Sequence, residues 1–125
     1  ETILSFTRRF EGAPHAMPQM MVAVDFSIGK PLQILLAGDR ENENTLEMLQ
    51  KVRKPFIPRK IVLLADGGPL HQRLTKAVPT LKHLRRIEGK TTAYVCQDYV
   101  CELPTNSPAV LAQILEKAMA ASSEE

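Results

Sequence analysis

Leu32-Gln33-Ile34-Leu35-Leu36-Ala37-Gly38-Asp39 is the stretch on which the reading of this chain turns. Six residues, five of them apolar, are too few for a stable helix and fit a strand buried on both faces, ended by a Gly-Asp turn. The same signal returns at Ile61-Val62-Leu63-Leu64-Ala65, followed by Asp66-Gly67-Gly68. Residues 45 to 54 between them have helical spacing, with Leu46, Leu49 and Val52 inward. Asn44 stands at the N-cap position with Glu47 three residues on, and Pro55 and Pro58 end the helix. A further helix is predicted from Pro69, carrying Leu70, Leu74, Ala77 and Val78 on one side and broken at Pro79.

Thr91 to Cys96 is rich in β-formers, and Tyr99-Val100-Cys101 follows after Gln97-Asp98, which reads as a hairpin or a bent strand. Ser107 caps a last helix with Pro108 at its first position and Leu111, Ile114, Leu115 and Ala118 as its buried stripe. The final residues, 122 to 125, are expected to fray. Strand and helix alternate, so residues 31 to 121 are expected to form a small three-layer α/β domain. Its strands near 32 to 37, 60 to 65 and 92 to 96 are expected to be mutually parallel.

Upstream the period changes. Ile3, Phe6 and Phe10 share one helical face until Gly12 and Pro14, and Pro18 opens a second helix with the stripe Met17, Met20, Met21, Val24 and Ile28. Two short helices cannot bury their apolar faces alone. The chain also opens in mid-pattern, without an initiator Met. Residues 1 to 28 therefore read as an α-hairpin belonging to a neighbouring helical domain of a longer protein. On their own they are expected to self-associate or to pack on residues 31 to 121.

The 125 residues are 44% apolar and 24% charged, an ordinary balance for a globular chain able to bury a core without disulfide staples. Aromatic residues make up only 5%, with no Trp, which argues against stacking platforms for single-stranded nucleic acid or sugars. A net charge of +2 gives no electrostatic footprint for a nucleic-acid partner. Two basic groups, Lys51, Arg53, Lys54, Arg59 and Lys60, and then Lys82, His83, Arg85, Arg86 and Lys90, read as solvated helix ends. No run is long and apolar enough to span a membrane, and no signal peptide opens the chain.

Asp39, Asp66 and Gly67 are the candidate ligand-binding residues, because the carboxyl ends of parallel strands are where open α/β sheets hold ligands. Turn chemistry accounts for the same residues. There is no phosphate-binding glycine motif, no nucleophile elbow and no metal-ligand spacing, so no cofactor, metal site or catalytic residue is expected. Cys96 and Cys101 are spaced unlike a thioredoxin-type motif. If the hairpin loop were four residues long they would face each other across it, making a disulfide or redox pair conceivable. The reading taken here is two reduced thiols in a reducing compartment.

Several motifs in register resemble one family. They are Ala13-Pro14, Ala16-Met17-Pro18-Gln19-Met20-Met21 and Ala23-Val24-Asp25-Phe26; Leu35-Leu36-Ala37-Gly38-Asp39; Pro58-Arg59-Lys60-Ile61-Val62-Leu63-Leu64-Ala65-Asp66-Gly67; and Thr92-Ala93-Tyr94-Val95-Cys96, Cys101 and Pro104-Thr105-Asn106-Ser107-Pro108. In order and spacing they are similar to the carboxy-terminal end of the spermatogenesis-associated, thioredoxin-like proteins. That resemblance implies a thioredoxin-like domain, an (α/α)6 barrel like those of sugar epimerases and six-hairpin glycosidases, and an α/β tail. Residues 1 to 28 would be the last barrel helices and 31 to 121 the tail. The family's redox cysteines and presumed sugar site would lie outside this chain. The implied role is a non-catalytic, cytoplasmic accessory domain whose partners are the barrel and the thioredoxin-like domain of its own protein. The alternative is a fragment that lends strand-end residues to a carbohydrate-modifying or redox site, which would require Asp39, Asp66 and Cys96 to converge.

Overall fold

The computed structural model describes residues 2–122; the side chains of Phe10, Pro14 and Ser122 and the fraying expected at 123–125 lie outside that description. The chain divides into two compact units, Glu1–Pro31 and Leu32–Glu125.

The first unit is helical. α1 (Thr2–Ser5) and α2 (Thr7–Gly12) replace the single predicted helix, because Phe6 leaves the helical region between them. A 3₁₀ turn (Pro14–Ala16) leads to α3 (Pro18–Ile28), which opens on a proline at its first position. α1 touches both α2 and α3. No residue of α1 or α3 is fully buried, and Leu4, Met21, Val22 and Ile28 are exposed.

The second unit is an α/β domain built around β1 (Leu32–Ala37). α4 (Glu43–Arg53), β2 (Lys60–Ala65), α5 (Pro69–Ala77), a 3₁₀ segment (Pro79–His83), β3 (Thr92–Gln97), β4 (Val100–Cys101) and α6 (Pro108–Ser122) follow. The strand order is β2-β1-β3-β4. β1 and β2 are parallel, Leu32 opposite Lys60 and Ala37 opposite Ala65. The expectation of three parallel strands fails at β3, which runs antiparallel to β1 with Gln33 opposite Cys96 and Ala37 opposite Thr92. The chain after α5 does not return to the amino end of the sheet. It passes through the 3₁₀ segment, which packs on α5, and enters β3 beside the carboxyl end of β1.

β1 meets the sequence expectation: every residue but Gln33 is buried. Its side chains alternate between faces. Leu32, Ile34 and Leu36 join Met48 and Val52 of α4, Ala93 and Val95 of β3, and Leu111 and Leu115 of α6 in one core. Leu35 and Ala37 point the other way, as does Tyr94, the cross-strand neighbour of Leu35. There the Arg85 N–H donates to the Tyr94 hydroxyl (3.1 Å), which donates to the Arg85 carbonyl (2.8 Å). The chain at Arg85 thus reaches that face; Leu81, just before it, is buried, whereas no residue of α5 is fully buried.

β2 departs from its apolar reading. It lies at the sheet edge with no fully buried residue, and Val62 is exposed. In α4 the inward face is Thr45, Met48 and Val52 with Leu49 packed beside them, while Leu46 is exposed. The cap is Asn42, whose side chain accepts the Asn44 N–H, not Asn44 itself. The first basic group does serve a helix end: Lys60 Nζ donates to the carbonyls of Val52 and Pro55, both at 2.8 Å. The second lies along the 3₁₀ segment and the loop after it instead.

Gly38 marks where three elements close. Thr45 and Thr91 share a hydroxyl hydrogen bond of 2.6 Å beneath it. A Cβ on Gly38 would meet Thr91 Oγ1 at 2.5 Å and Thr45 Oγ1 at 2.7 Å. Both threonines are buried and β-branched, so neither can turn aside freely. Gly38→Ala is expected to lower stability by about 1–3 kcal/mol, the usual cost of overpacking. Urea denaturation checks this, and a variant as stable as the parent would show that the contact relaxes without cost.

Candidate functional site

The parallel pair places the ends of β1 and β2 side by side, and with them the candidate carboxylates. Asp39 and the adjoining Arg40 follow β1; Asp66, Gly67 and Gly68 follow β2. The two turns are tied by Arg40, whose Nη2 lies 3.3 Å from Asp66 Oδ2. The other oxygen of Asp66 accepts the Gly68 N–H at 2.9 Å. The Asp66 side chain is only 14% exposed, against 65% for Arg40, so this turn is less solvated than its glycines suggest. Asp39 is exposed and accepts the Glu41 N–H at 3.1 Å. Gly67 adopts φ 79°, the left-handed region where a glycine is needed to turn the chain into α5.

His71 joins this edge from the first turn of α5, where spacing alone gave it no role. Its Nδ1 accepts the Gly67 N–H at 3.0 Å, which leaves the proton of the neutral ring on Nε2. That Nε2 and the Oδ1 of Asn44 are buried side-chain atoms without a hydrogen-bond partner in the structure. Arg40 and His71 were both missed in the sequence because an Arg after Asp and a His inside a helix carry no motif. Only the strand pairing shows that they reach the same edge as Asp66.

The cysteines lie elsewhere. Cys96 and Cys101 form a disulfide across the β3–β4 hairpin, which corrects the expectation of free thiols. β3 is antiparallel to β1, so Cys96 stands opposite Gln33, near the amino end of β1, while the carboxyl end faces Thr92. Four residues of strand, about 13 Å, separate these positions. Asp39 and Asp66 therefore do not converge with Cys96, and His71 is bound to Gly67 at the far edge. The strand-end carboxylates hold backbone N–H groups and a guanidinium, which is turn and ion-pair chemistry. Among the described residues, no group of three or more His, Cys, Asp or Glu side chains is placed to hold a metal ion.

The second unit is thus an α/β domain with one parallel β-α-β unit and an antiparallel hairpin, and among the described residues its strand ends bring Asp39 and Asp66 near Arg40 and His71 but not near Cys96. No family description and no solved structure matches the chain. Curated proteins do. It is 35% identical over 113 residues to human spermatogenesis-associated protein 20, a match covering 90% of this chain and 14% of that protein. The rat protein of the same name is 32% identical and the mouse protein 30%, each over 115 residues, 92% of this chain. The chain is thus similar to part of spermatogenesis-associated protein 20, in a match consistent with a carboxy-terminal region of that family, the family that the motifs resemble. It spans 14% of the length of the curated relatives it matches.

The ion pair ranks two substitutions. Arg40→Ala removes an exposed guanidinium and is expected to cost less than about 1 kcal/mol. Asp66→Ala also removes the acceptor of the Gly68 N–H at the start of α5 and is expected to cost about 1–2 kcal/mol. Denaturation of both variants checks the order; equal costs would mean that the Gly68 hydrogen bond contributes nothing.

Proposed function

We propose that this chain is a non-catalytic accessory domain of a larger multidomain protein. The observation that carries the reading is the separation of its candidate groups: the carboxylates and His71 at one edge of the sheet, the cysteines at the other. Acid–base or nucleophilic catalysis needs such groups within hydrogen-bond reach of one substrate. The curated relatives are about seven times longer than the matched region, which supports a larger assembly around it.

In this reading residues 1 to 28 are the last helices of an (α/α)6 barrel, and 31 to 121 are the α/β tail. The partners are that barrel and a thioredoxin-like domain of the same cytoplasmic protein. The exposed Leu4 of α1 and Met21, Val22 and Ile28 of α3 support an interface on the helical unit, since a short helical segment that leaves its large apolar side chains uncovered offers a contact surface. Among the described residues, no helix is long and apolar enough to cross a membrane.

A second reading has one observation behind it. The buried, unpartnered Nε2 of His71 and Oδ1 of Asn44 belong to α5 and α4, the helices that follow the strand-end turns. A polar ligand bound there, as in a carbohydrate-modifying site of the longer protein, would satisfy them. A thermal-shift panel of sugars, nucleotides and divalent metals separates the two. The accessory reading predicts no saturable shift above about 1 °C, whereas stabilisation by tight binding of the native state would raise the midpoint by several degrees. A sugar that stabilises the chain saturably, with the effect abolished by Asp66→Ala, would replace the accessory reading with the second one. The helical unit carries its own test. Light scattering should show association of this chain that rises with concentration and falls in Val22→Lys, and a monomer at every concentration would count against an interface there.

A further inference from the structure

Cys96 and Cys101 face each other in the β3–β4 ladder with Cα atoms 4.0 Å apart. Gln97 and Val100 flank a two-residue loop, so the cysteines are the close, non-hydrogen-bonded pair just inside it. The loop residues Asp98 and Tyr99 have φ of 51° and 65°, the twisted turn in which Asn-Gly is favoured. Tyr99 is disfavoured there, and its fully exposed ring gains no packing in return. β4 is two residues long, with Val100 74% and Leu103 just beyond it 87% exposed. β4 is held by the short ladder, the crosslink and the Glu102 N–H to Val95 carbonyl bond (2.9 Å), and the chain after it is tied back to β3 by the Ala93–Thr105 bridge.

The crosslink is also reachable. Cys101 is exposed and Cys96 half-buried, on the face opposite the core formed with α4 and α6. The same hairpin has a second side. Val100 and Glu102 form one wall of a groove of about 230 Å³ whose other wall is Ile114, Lys117 and Ala118 of α6. Glu102 approaches Lys117 there at 3.8 Å.

We propose that Cys96–Cys101 is a reversible thiol–disulfide exchange site for a dithiol, whose redox state sets the order of the hairpin and the shape of that groove. One thiolate of the dithiol attacks the exposed Cys101 Sγ and forms a mixed disulfide, and the Cys96 thiolate leaves and takes a proton. The second thiol of the dithiol, deprotonated, then attacks its own sulfur in the mixed disulfide. The Cys101 thiolate leaves, is protonated, and the dithiol departs as a disulfide. Two electrons and two protons pass to the cysteine pair, and the reverse sequence restores the crosslink. Reduction frees β4 from a disfavoured turn without touching Ile34, Leu36, Met48, Leu111 or Leu115. It is therefore a local opening, in which a peripheral element moves while the core stays closed. This proposal requires no catalytic role for the chain and stands apart from the accessory reading.

The test treats the intact chain with dithiothreitol in the absence of denaturant, followed by alkylation and mass spectrometry, with hydrogen exchange measured in both redox states. The expected result is full reduction of the native protein and full recovery of the disulfide in oxidised glutathione. Exchange at residues 97 to 103 is expected to rise at least about tenfold on reduction and to stay unchanged in β1 and α6. The single variants keep the proposal falsifiable if the reduced chain proves unstable. Cys96→Ser, which retains Cys101, is expected to form a mixed disulfide with oxidised glutathione several-fold faster than Cys101→Ser. Reduction only under denaturing conditions, two thiols that stay free in oxidised glutathione, unchanged exchange at the hairpin, or equal rates for the two variants would each overturn it.

Discussion

Burial of β1 between two partner strands is the constraint on which the rest of the domain depends. Leu32, Ile34 and Leu36 anchor the core with α4 and α6, and Leu35 and Ala37 anchor the opposite face. Because strand side chains alternate, a one-residue slip of β1 would exchange these faces and send the exposed Gln33 into a buried position. The same register fixes where the turns fall. Ala37 opposite Ala65 sets Asp39 and Asp66 at one edge, and Ala37 opposite Thr92 brings Thr91 under Gly38.

The mixed orientation of the sheet then decides which chemistry can meet. A third parallel strand would have ended Cys96 beside the two aspartates. The antiparallel β3 sends it toward the amino end of β1 instead, where a tight hairpin pairs it with Cys101. The strand-end edge is left with Asp66 held by Arg40 and the Gly68 N–H, and His71 held by Gly67. Those interactions settle the turns and the start of α5. At the cysteine pair a covalent bond crosslinks β4, a strand of two residues, to β3.

Much of this was legible in the sequence because its cause is local. The short apolar runs gave β1 and β2, Pro69 and Pro108 opened α5 and α6 where expected, and the stripe Leu111, Ile114, Leu115 and Ala118 is the packed face of α6. The errors share a different cause. The direction of β3 depends on where a connection of some two dozen residues ends, and its Thr91–Cys96 composition is the same either way. β2 reads like β1, yet an edge strand is told from a central one only by what pairs with it. Cys96 and Cys101 needed the two-residue loop to be known before their pairing could follow. Arg40 and His71 became visible only once the two strand ends lay side by side.

The direction of β3 carries the separation of the two edges, so it is the feature to measure. Backbone cross-strand nuclear Overhauser effects in the intact chain report it without mutation. The account predicts contacts linking Gln33 to Cys96 and Ala37 to Thr92. Contacts linking Gln33 to Thr92 and Ala37 to Cys96 would contradict it, because they would make β3 parallel and bring the cysteine to the edge that holds Asp39 and Asp66.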